Sequence, residues 1–167
     1  MIDFGFCLPV FPGGNDKMAR TPMVNSINPN ILYELVRGLD QLDFNSIWVA
    51  DHLNMEHQTP ILEGWTTLSW VSNISQKLRL GHIHYNSLLR NPSLTAKMYA
   101  TLDVITEGRV NFFIDGGHPG TKTEVKSYGY NFLSDTERIE QLEEAIEIIK
   151  LMWTRKSSSF KGKYYNI

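Results

Sequence analysis

The segment from Leu78 to Gly117 constrains the fold more than any other part of the chain. Residues 78–85 carry β-forming side chains in alternation and predict a strand. Asn91 and Pro92 predict the start of a helix, because asparagine is a good N-cap and proline fits the first helical position. An apolar run near residue 110 then predicts a second strand, buried on both faces. The order of strand, helix and strand predicts a right-handed parallel βαβ unit.

The same alternation of strand and helix extends over the rest of the chain. Strands are predicted at 3–10, 46–50, 78–85 and 110–115, each followed by a helix, and a capping box at Ser134 opens the last helix. The residues predicted to be buried on the helices are Ile31, Leu32, Leu35, Val36, Leu39 and Leu42; Leu68, Val71 and Ile74; Leu94, Met98, Leu102 and Ile105; and Ile139, Leu142, Ile146, Ile149 and Trp153.

Four βα units predict an α/β fold with a parallel sheet. Two architectures fit this pattern: half of a (β/α)₈ barrel, or a small open sheet. A complete barrel typically needs about 250 residues, whereas this chain has 167. Long loops are predicted at 11–28, which is rich in glycine, proline, asparagine and aspartate, and at 118–133, and a further loop is predicted at 53–63.

Charge and cysteine content exclude several classes of protein. A net charge of −2 gives no reason to expect a nucleic acid or an anionic membrane as partner. The single cysteine, Cys7, cannot form an internal disulfide, which is typical of a reducing cytoplasm. No apolar run is long enough to cross a bilayer. The sequence therefore predicts one cytoplasmic domain over residues 1–167.

An ordered series of short motifs carries a family resemblance. Leu80-Gly81, Arg90-Asn91-Pro92, Ala96-Lys97, Ala100-Thr101-Leu102-Asp103 and Gly108-Arg109 follow one another at fixed spacings. The series resembles the core signature of the luciferase-like flavin monooxygenases, which include bacterial luciferase, alkanesulfonate monooxygenases and deazaflavin-dependent reductases. That resemblance implies a (β/α)₈ TIM barrel, of which this chain is similar to the N-terminal half with the first four βα units.

The resemblance also implies a reaction class and a cofactor. It implies a flavin-dependent oxidoreductase, either a monooxygenase that uses reduced FMN and O₂ on a small organic substrate, or an enzyme that transfers hydride with an 8-hydroxy-5-deazaflavin coenzyme. A flavin reductase or NAD(P)H is then the expected source of reductant. Because a half barrel leaves strand edges unpaired, the chain is expected to form a homo-oligomer or to belong to a longer chain.

The candidate site residues lie at the carboxyl ends of the predicted strands, where barrel enzymes keep their active sites. Asp51-His52 resembles the family's pair beside the cofactor ring, with His52 able to move a proton. The alternative is that Asp51 only caps the following turn and that His52 is an exposed surface residue. Ile83-His84 matches a position where many members have a non-proline cis peptide bond. Asn86 matches a polar group near the ring's pyrimidine edge.

The fourth predicted strand ends in further candidates. Gly116 and Gly117 permit backbone N–H groups to approach a ligand, or they form a plain tight turn. His118 matches an acid or base of some deazaflavin members, although a histidine stands here in place of a carboxylate. Relatives usually have glycine where Phe113 and Asp115 stand, and bacterial luciferase has an arginine where Gly116 stands.

Two histidines leave alternatives open. His82 and His84 alternate on the predicted third strand, so they are expected to share its inward face. Such a pair can bind a metal in a metal-dependent hydrolase, but the expectation is metal-free pocket lining. A non-catalytic flavin-binding protein is a further alternative. Phe11 and Trp48 are candidates for lining a ring pocket, and Cys7 is expected to be packed among apolar residues.

Overall fold

The computed structural model describes residues 2–12, 24–55 and 60–167. Parts of the predicted loops at 11–28 and 53–63 lie outside the described residues. The chain divides into two compact units. The first contains Met1–Tyr85 and Thr106–Phe113, and the second contains Asn86–Ile105 and Ile114–Ile167. Within the described ranges, no helix has the length and apolarity that a membrane span requires.

A three-stranded parallel sheet forms the centre of the first unit. Its strands are β1 (Gly5–Cys7), β2 (Ser46–Val49) and β3 (Arg79–His82), and they pair in the order β1-β2-β3. The predicted parallel order of the first three strands is confirmed. The strands are shorter than predicted, and the predicted fourth strand contributes to this unit only a parallel bridge between Val110 and Leu80.

Two helices belong to the first unit, α1 (Pro29–Leu39) and α2 (Gly64–Ile74). Helix α1 begins at the predicted Asn28-Pro29, with the Asn28 side chain accepting hydrogen bonds from the first turn. Its buried residues are Leu32, Val36 and Leu39. Ile31 and Leu42 are exposed, contrary to prediction, because Ile31 lies off the 32-36-39 stripe and Leu42 lies beyond the end of the helix.

The second unit contains α3 (Pro92–Ile105), α4 (Lys122–Ser127) and α5 (Asp135–Thr154). A short sheet pairs β4 (Tyr85–Asn86) with β5 (Ile114–Asp115). Helix α3 packs against α5, and Trp153 Nε1 donates a hydrogen bond to the Ala96 carbonyl at 2.9 Å.

The buried face of α3 differs from the predicted apolar stripe. Leu94 is 54% exposed and Ile105 is also exposed, whereas Thr95, Ala96 and Tyr99 are buried. The Thr95 hydroxyl donates to the Asn91 carbonyl at 3.1 Å, so it is satisfied inside the helix and can be buried at little cost. The predicted stripe therefore lies about one residue away from the face that packs.

Helix α5 begins at the predicted capping box, which is confirmed. Ser134 and Glu137 exchange hydrogen bonds between side chain and backbone in both directions. Ile139 is 59% exposed and Trp153 is also exposed, contrary to prediction, while Arg138 is buried in the first turn. Arg138 can be buried because its guanidinium donates to the Gly116 and Leu133 carbonyls and pairs with the Asp135 carboxylate.

The tail from Phe160 to Ile167 is an antiparallel hairpin that rests on α5. The Glu144 carboxylate accepts backbone N–H bonds from Lys163, Tyr164 and Tyr165 at 2.7, 3.0 and 3.1 Å. A side chain at Gly162 would overlap this carboxylate. The tail is therefore fixed to the helix by one acceptor that serves three donors.

Glu144→Gln is expected to lower the free energy of unfolding by about 1–2 kcal/mol at neutral pH, a figure reduced because the carboxylate is partly exposed. Burial acts to raise the pKa of Glu144, but the three backbone N–H groups lower it overall. The stabilisation is therefore complete above the ordinary carboxyl pKa and is lost as the pH falls through the lowered value. Urea titrations at about pH 7 and pH 3 measure it.

The matched control is Glu147→Gln, which removes an exposed carboxylate from the same helix. This variant is expected to change the unfolding free energy by less than about 0.5 kcal/mol at both pH values. Equal losses in the two variants would show that the charge of the helix, and not the hold on the tail, causes the effect.

Candidate functional site

Four candidate residues of the first unit lie together at the carboxyl ends of β2 and β3. Val49 pairs with His82, and the Ile83 N–H donates to the Val49 carbonyl at 2.9 Å. Ile83-His84 follows His82 directly and Asp51-His52 follows Val49 after Ala50, so both pairs leave the same edge of the sheet. The peptide bond between Ile83 and His84 is cis, the conformation that the family resemblance implies at this position.

Asp51 is buried against the start of α2. It is 1% exposed, and a β-carbon on Gly64 would lie 2.9 Å from its Oδ1. Gly64 therefore provides the room that this carboxylate occupies. His52 follows Asp51 in the chain and is half-buried; an imidazole is a side chain that can hold or move a proton near neutral pH.

His82 and His84 do not share a face, contrary to prediction. His82 is fully buried, with its ring 5.0 Å from that of Trp65 on α2. His84 is exposed and contacts Phe113, with 4.5 Å between ring centroids. The alternation fails because β3 ends at His82, so the strand geometry that places i and i+2 together does not reach His84. The pair is therefore not a preformed metal site. The part of the chain that the structure describes contains no group of three or more His, Cys, Asp or Glu arranged to hold a metal ion.

The inner face of the three-stranded sheet carries a tryptophan laid across two glycines. A β-carbon on Gly5 would lie 2.5 Å from Trp48 Nε1, and one on Gly81 would lie 2.7 Å from Trp48 Cζ3. Trp48 Nε1 donates to Ser46 Oγ at 2.9 Å. The indole is therefore spread over β1 and β3, in the space that two side chains would fill.

Phe113 is the residue whose place in this group the sequence did not reveal. Its ring is 6.4 Å from that of Trp48 and perpendicular to it. The backbone register sets this place, because the Phe113 carbonyl accepts the Tyr85 N–H at 2.8 Å and residue 113 therefore lies level with His84. Predicting it required that register, which the sequence alone does not supply.

The second unit contains the remaining candidates, Asn86, Gly116, Gly117 and His118. Asn86 is buried and its Oδ1 accepts the Leu88 N–H at 3.0 Å, so it caps the turn Ser87–Leu89. Gly117 has φ +70°, and a β-carbon there would lie 2.7 Å from Leu88 Cδ1. Leu88 thus links Asn86 to the glycine turn. A glycine is required at 117 by both its backbone conformation and its neighbour.

The glycine turn is held by two side chains. Asp115 Oδ1 accepts the Gly117 N–H at 2.9 Å, and Arg138 Nε donates to the Gly116 carbonyl at 3.2 Å. The Gly117 N–H, which the sequence predicts could approach a ligand, is therefore bonded within the turn. The Asp115 side chain therefore closes the turn on itself.

His118 presents one ring nitrogen outwards. Its Nδ1 accepts the Gly120 N–H at 3.1 Å, and the side chain is exposed. The neutral ring therefore carries its proton on Nε2, which is the atom able to donate to a ligand. The structure thus brings together Asp51, His52, Ile83 and His84 in one unit, and Asn86, Gly116 and Gly117 in the other. The predicted convergence of the two groups stays a prediction.

Comparison with known proteins gives a consistent family. The family model described as luciferase-like monooxygenase matches residues 2–167. An F420-dependent glucose-6-phosphate dehydrogenase from Kineococcus radiotolerans is 29% identical over 156 residues, which is 90% of this chain and 45% of the relative. An F420-dependent hydroxymycolic acid dehydrogenase from Mycobacterium tuberculosis is 28% identical over 77% of this chain and 36% of the relative. The chain spans less than half the length of these relatives.

Solved structures show the same fold at lower sequence identity. An F420-dependent secondary alcohol dehydrogenase in complex with an F420-acetone adduct superposes with a TM-score of 0.78 at 20% identity, over 99% of this chain and 46% of that one. A monooxygenase from Streptomyces bottropensis gives 0.74 at 18% identity, over 99% and 47%. The α/β fold with parallel strands and the match over residues 2–167 lead to one conclusion: the chain belongs to the luciferase-like monooxygenase family.

Proposed function

We propose that this chain supplies the ring-binding part of an oxidoreductase that transfers hydride with a deazaflavin coenzyme of the F420 type. The observation that carries the proposal is the placement of Asp51-His52 beside Ile83-His84 at one edge of the sheet. Curated relatives that match most of this chain are named as F420-dependent dehydrogenases, which favours a deazaflavin over FMN.

The residues of the first unit fit a flat cofactor ring. The aromatic rings of Trp48, Phe113 and His84 lie together, with the Phe113 ring nearly perpendicular to each of the other two, and a group of aromatic side chains favours a planar ligand. When bound, a deazaflavin supplies the acceptor or donor of hydride. The protein's part is then to orient the ring and to place His52 for donating or accepting the proton of the substrate hydroxyl. Asp51 is fixed by its packing on Gly64.

His118 is proposed as a second proton-bearing group. Its Nε2 carries the proton in the neutral ring, since Nδ1 accepts the Gly120 N–H. It stands where some deazaflavin members have a carboxylate, so it would donate through a neutral imidazole and not through a carboxylic acid. Asn86, Gly116 and Gly117 would support His118 within the second unit mainly by shaping the glycine turn, because the Asn86 oxygen and the Gly117 N–H already have partners.

Monooxygenation with reduced FMN and O₂ is the second candidate function. It is favoured by the description of the matching family model and by a solved neighbour, the oxygenating constituent of a diketocamphane monooxygenase in complex with FMN, with a TM-score of 0.73 at 13% identity. A flavin reductase or NAD(P)H would then supply the reductant. Because the chain spans less than half of its curated relatives, assembly with a second copy or within a longer chain is part of either proposal.

The test compares cofactor binding with turnover in the same preparation. Fluorescence titration of the chain with F420 and with FMN measures binding; F420 absorbance with secondary alcohols and a hexose phosphate measures hydride transfer. We expect F420 to bind more tightly than FMN, and His52→Ala to lower the rate of F420 reduction by about 10²–10⁴-fold without a comparable loss of binding. Oxygen-dependent oxidation of reduced FMN in place of F420 reduction would support the second candidate. Failure to bind either cofactor would contradict both proposals, whereas binding without turnover would favour a non-catalytic flavin-binding protein.

A further inference from the structure

A small pocket of the second unit lies apart from the candidate site residues. Its volume is about 340 Å³. It lies at the start of α3, the end of α5 and the segment that follows α5, and it is lined by Ser93, Met152, Arg155, Lys156, Ser158 and Ile167. Four of these six side chains are polar or basic, and none is acidic.

The pocket carries an excess of positive charge. Arg155 and Lys156 directly follow α5 and are exposed. No acidic side chain in the described ranges forms an ion pair with either of them. The helix ends do not remove this charge, because the C-terminus of α5 and the N-terminus of α3 act as about −0.5 and +0.5 elementary charges and roughly cancel. The pocket therefore favours an anion.

The side chain of Ser93 supplies a second and independent observation. Ser93 lies in the first turn of α3, and its N–H donates to Asn91 Oδ1 at 2.9 Å. Its hydroxyl oxygen, in contrast, is buried and has no hydrogen-bond partner among the described residues. A buried hydroxyl without a partner is destabilising. An acceptor oxygen held in the pocket would satisfy it, once a change of χ1 rotamer turns Oγ towards the ligand.

A phosphate group has the chemistry that fits these side chains. It presents three acceptor oxygens and a charge of about −1.5 to −2 at neutral pH. The guanidinium of Arg155 and the ammonium of Lys156 match that charge, and the serine hydroxyls add neutral donors. A carboxylate offers one oxygen and one charge fewer. The pocket volume lies within the range of about 300–1,000 Å³ that is typical of small-molecule sites, so it also has room for a small organic group.

We infer that the pocket lined by Ser93, Arg155, Lys156 and Ser158 binds a phosphate group, either as the free ion or as part of a small phosphate ester. All four residues belong to the second unit. The inference does not rest on the proposed function, because neither F420 nor FMN has a part in it.

The test titrates the full chain with inorganic phosphate and with glycerol 3-phosphate, and follows the backbone amide resonances by NMR. The titrations are made at about pH 7.5, where the phosphate group is mostly dianionic, and sodium chloride keeps the ionic strength constant. We expect both compounds to give saturable shifts at Ser93, Arg155 and Lys156. Glycerol, which lacks the phosphate group, and acetate, which carries a single charge, are expected to give none. Tighter binding of the ester would identify an ester as the ligand, and equal affinities would identify the free ion.

Variants of the lining residues test the assignment, and thermal unfolding confirms that each is folded. Arg155→Ala and Lys156→Ala are each expected to weaken phosphate binding by about three- to tenfold. Ser93→Ala is expected to weaken it by about threefold, through the loss of one hydroxyl donor. Lys150→Ala is the matched control. It removes an exposed lysine of α5 that does not line the pocket, and it is expected to leave the affinity unchanged.

Three results would overturn the inference. Equal weakening by Lys150→Ala and Arg155→Ala would show that the chain attracts phosphate only through its general charge. Shifts confined to other parts of the chain, or no saturable binding in the millimolar range, would show that the pocket does not hold the ion. Binding of acetate as tight as that of phosphate would contradict the assignment of a phosphate group.

Discussion

Replacing Arg138 with alanine is expected to lower the free energy of unfolding by about 3–4 kcal/mol. The Arg138 side chain is buried, and its guanidinium has four partners. It donates to the Gly116 carbonyl at 3.2 Å and to the Leu133 carbonyl at 2.9 Å. It also forms an ion pair with Asp135 at 3.0 Å and lies 4.3 Å from the centre of the Phe132 ring.

Most of this cost comes from the two carbonyl groups and not from the ion pair. The Asp135 carboxylate is largely exposed, so its contribution is about 0–1 kcal/mol. The carbonyls of Gly116 and Leu133, in contrast, lose charge-assisted hydrogen bonds when the guanidinium is removed. Arg138→Lys is expected to recover less than half of the loss, because one ammonium cannot reproduce the two directions of the planar guanidinium.

Urea denaturation of the wild type and the Arg138 variants measures this effect, and Arg155→Ala is the control. Arg155 is exposed at the other end of α5, so its removal is expected to change the unfolding free energy by less than about 0.5 kcal/mol. Equal losses for Arg138→Ala and Arg155→Ala would contradict the assignment. A change in the Gly116 and Gly117 amide resonances of Arg138→Lys would show directly that the arginine holds the glycine turn.

Strand order was predictable because it depends on a strong and local signal. Short β-branched runs followed by helices of ordinary length leave few options besides parallel pairing in sequence order. The β1-β2-β3 order agrees with that reasoning. The helix start at Ser134 was equally predictable, since a capping box is complete within four residues.

Buried faces were less predictable because polar side chains compete for them. Counting apolar residues placed Leu94 and Ile139 inside, whereas Thr95 and Arg138 are buried instead. Each of these polar residues is satisfied by carbonyl groups that lie close in the folded chain. The acceptors of Arg138 come together only when the chain folds. A count of apolar residues therefore does not predict which side chains of a helix are buried.

The candidate site was predictable in its parts but not in its geometry. Asp51-His52 and Ile83-His84 were placed at strand ends from the sequence, and the register of β2 with β3 makes them neighbours. The prediction that His82 and His84 share one face is wrong, because the sequence does not show that β3 ends at His82. Phe113 was noted only as a departure from the family, since its contact with His84 depends on a register between distant segments.

The second large effect is expected at Arg109, where alanine should lower the free energy of unfolding by about 3–5 kcal/mol. Its guanidinium donates to three carbonyls of the first unit, those of Thr106 at 3.0 Å, Leu78 at 2.9 Å and Ser72 at 3.1 Å. Ser72 lies near the end of α2, and Leu78 directly precedes β3. One side chain therefore ties together a helix end, a strand start and the segment that returns to the sheet.

Removing the Arg109 guanidinium leaves these three carbonyl groups without their donor. Water cannot readily replace it, since Ser72, Leu78 and Thr106 are all buried. Burial lowers the pKa of Arg109, with Asp40 and Glu107 acting in the opposite direction, yet an arginine remains charged throughout the neutral range. The loss is therefore expected to be the same from about pH 6 to pH 9, unlike the acid-dependent loss at Glu144.

Arg79→Ala is the matched control for Arg109→Ala within the same unit. Arg79 is exposed on β3 and donates to Asn111 Oδ1 and the Val110 carbonyl, so its loss is expected to cost less than about 1 kcal/mol. Urea titrations of both variants decide the point. If Arg109→Ala were no more destabilising than Arg79→Ala, the three carbonyls would have found other donors, and the Gly108-Arg109 motif would need a different explanation. If the expected difference is observed, the Gly108-Arg109 motif has a structural role: its arginine supplies hydrogen bonds to buried backbone carbonyls at the start of β3. This role is separate from that of the residues proposed to bind the substrate.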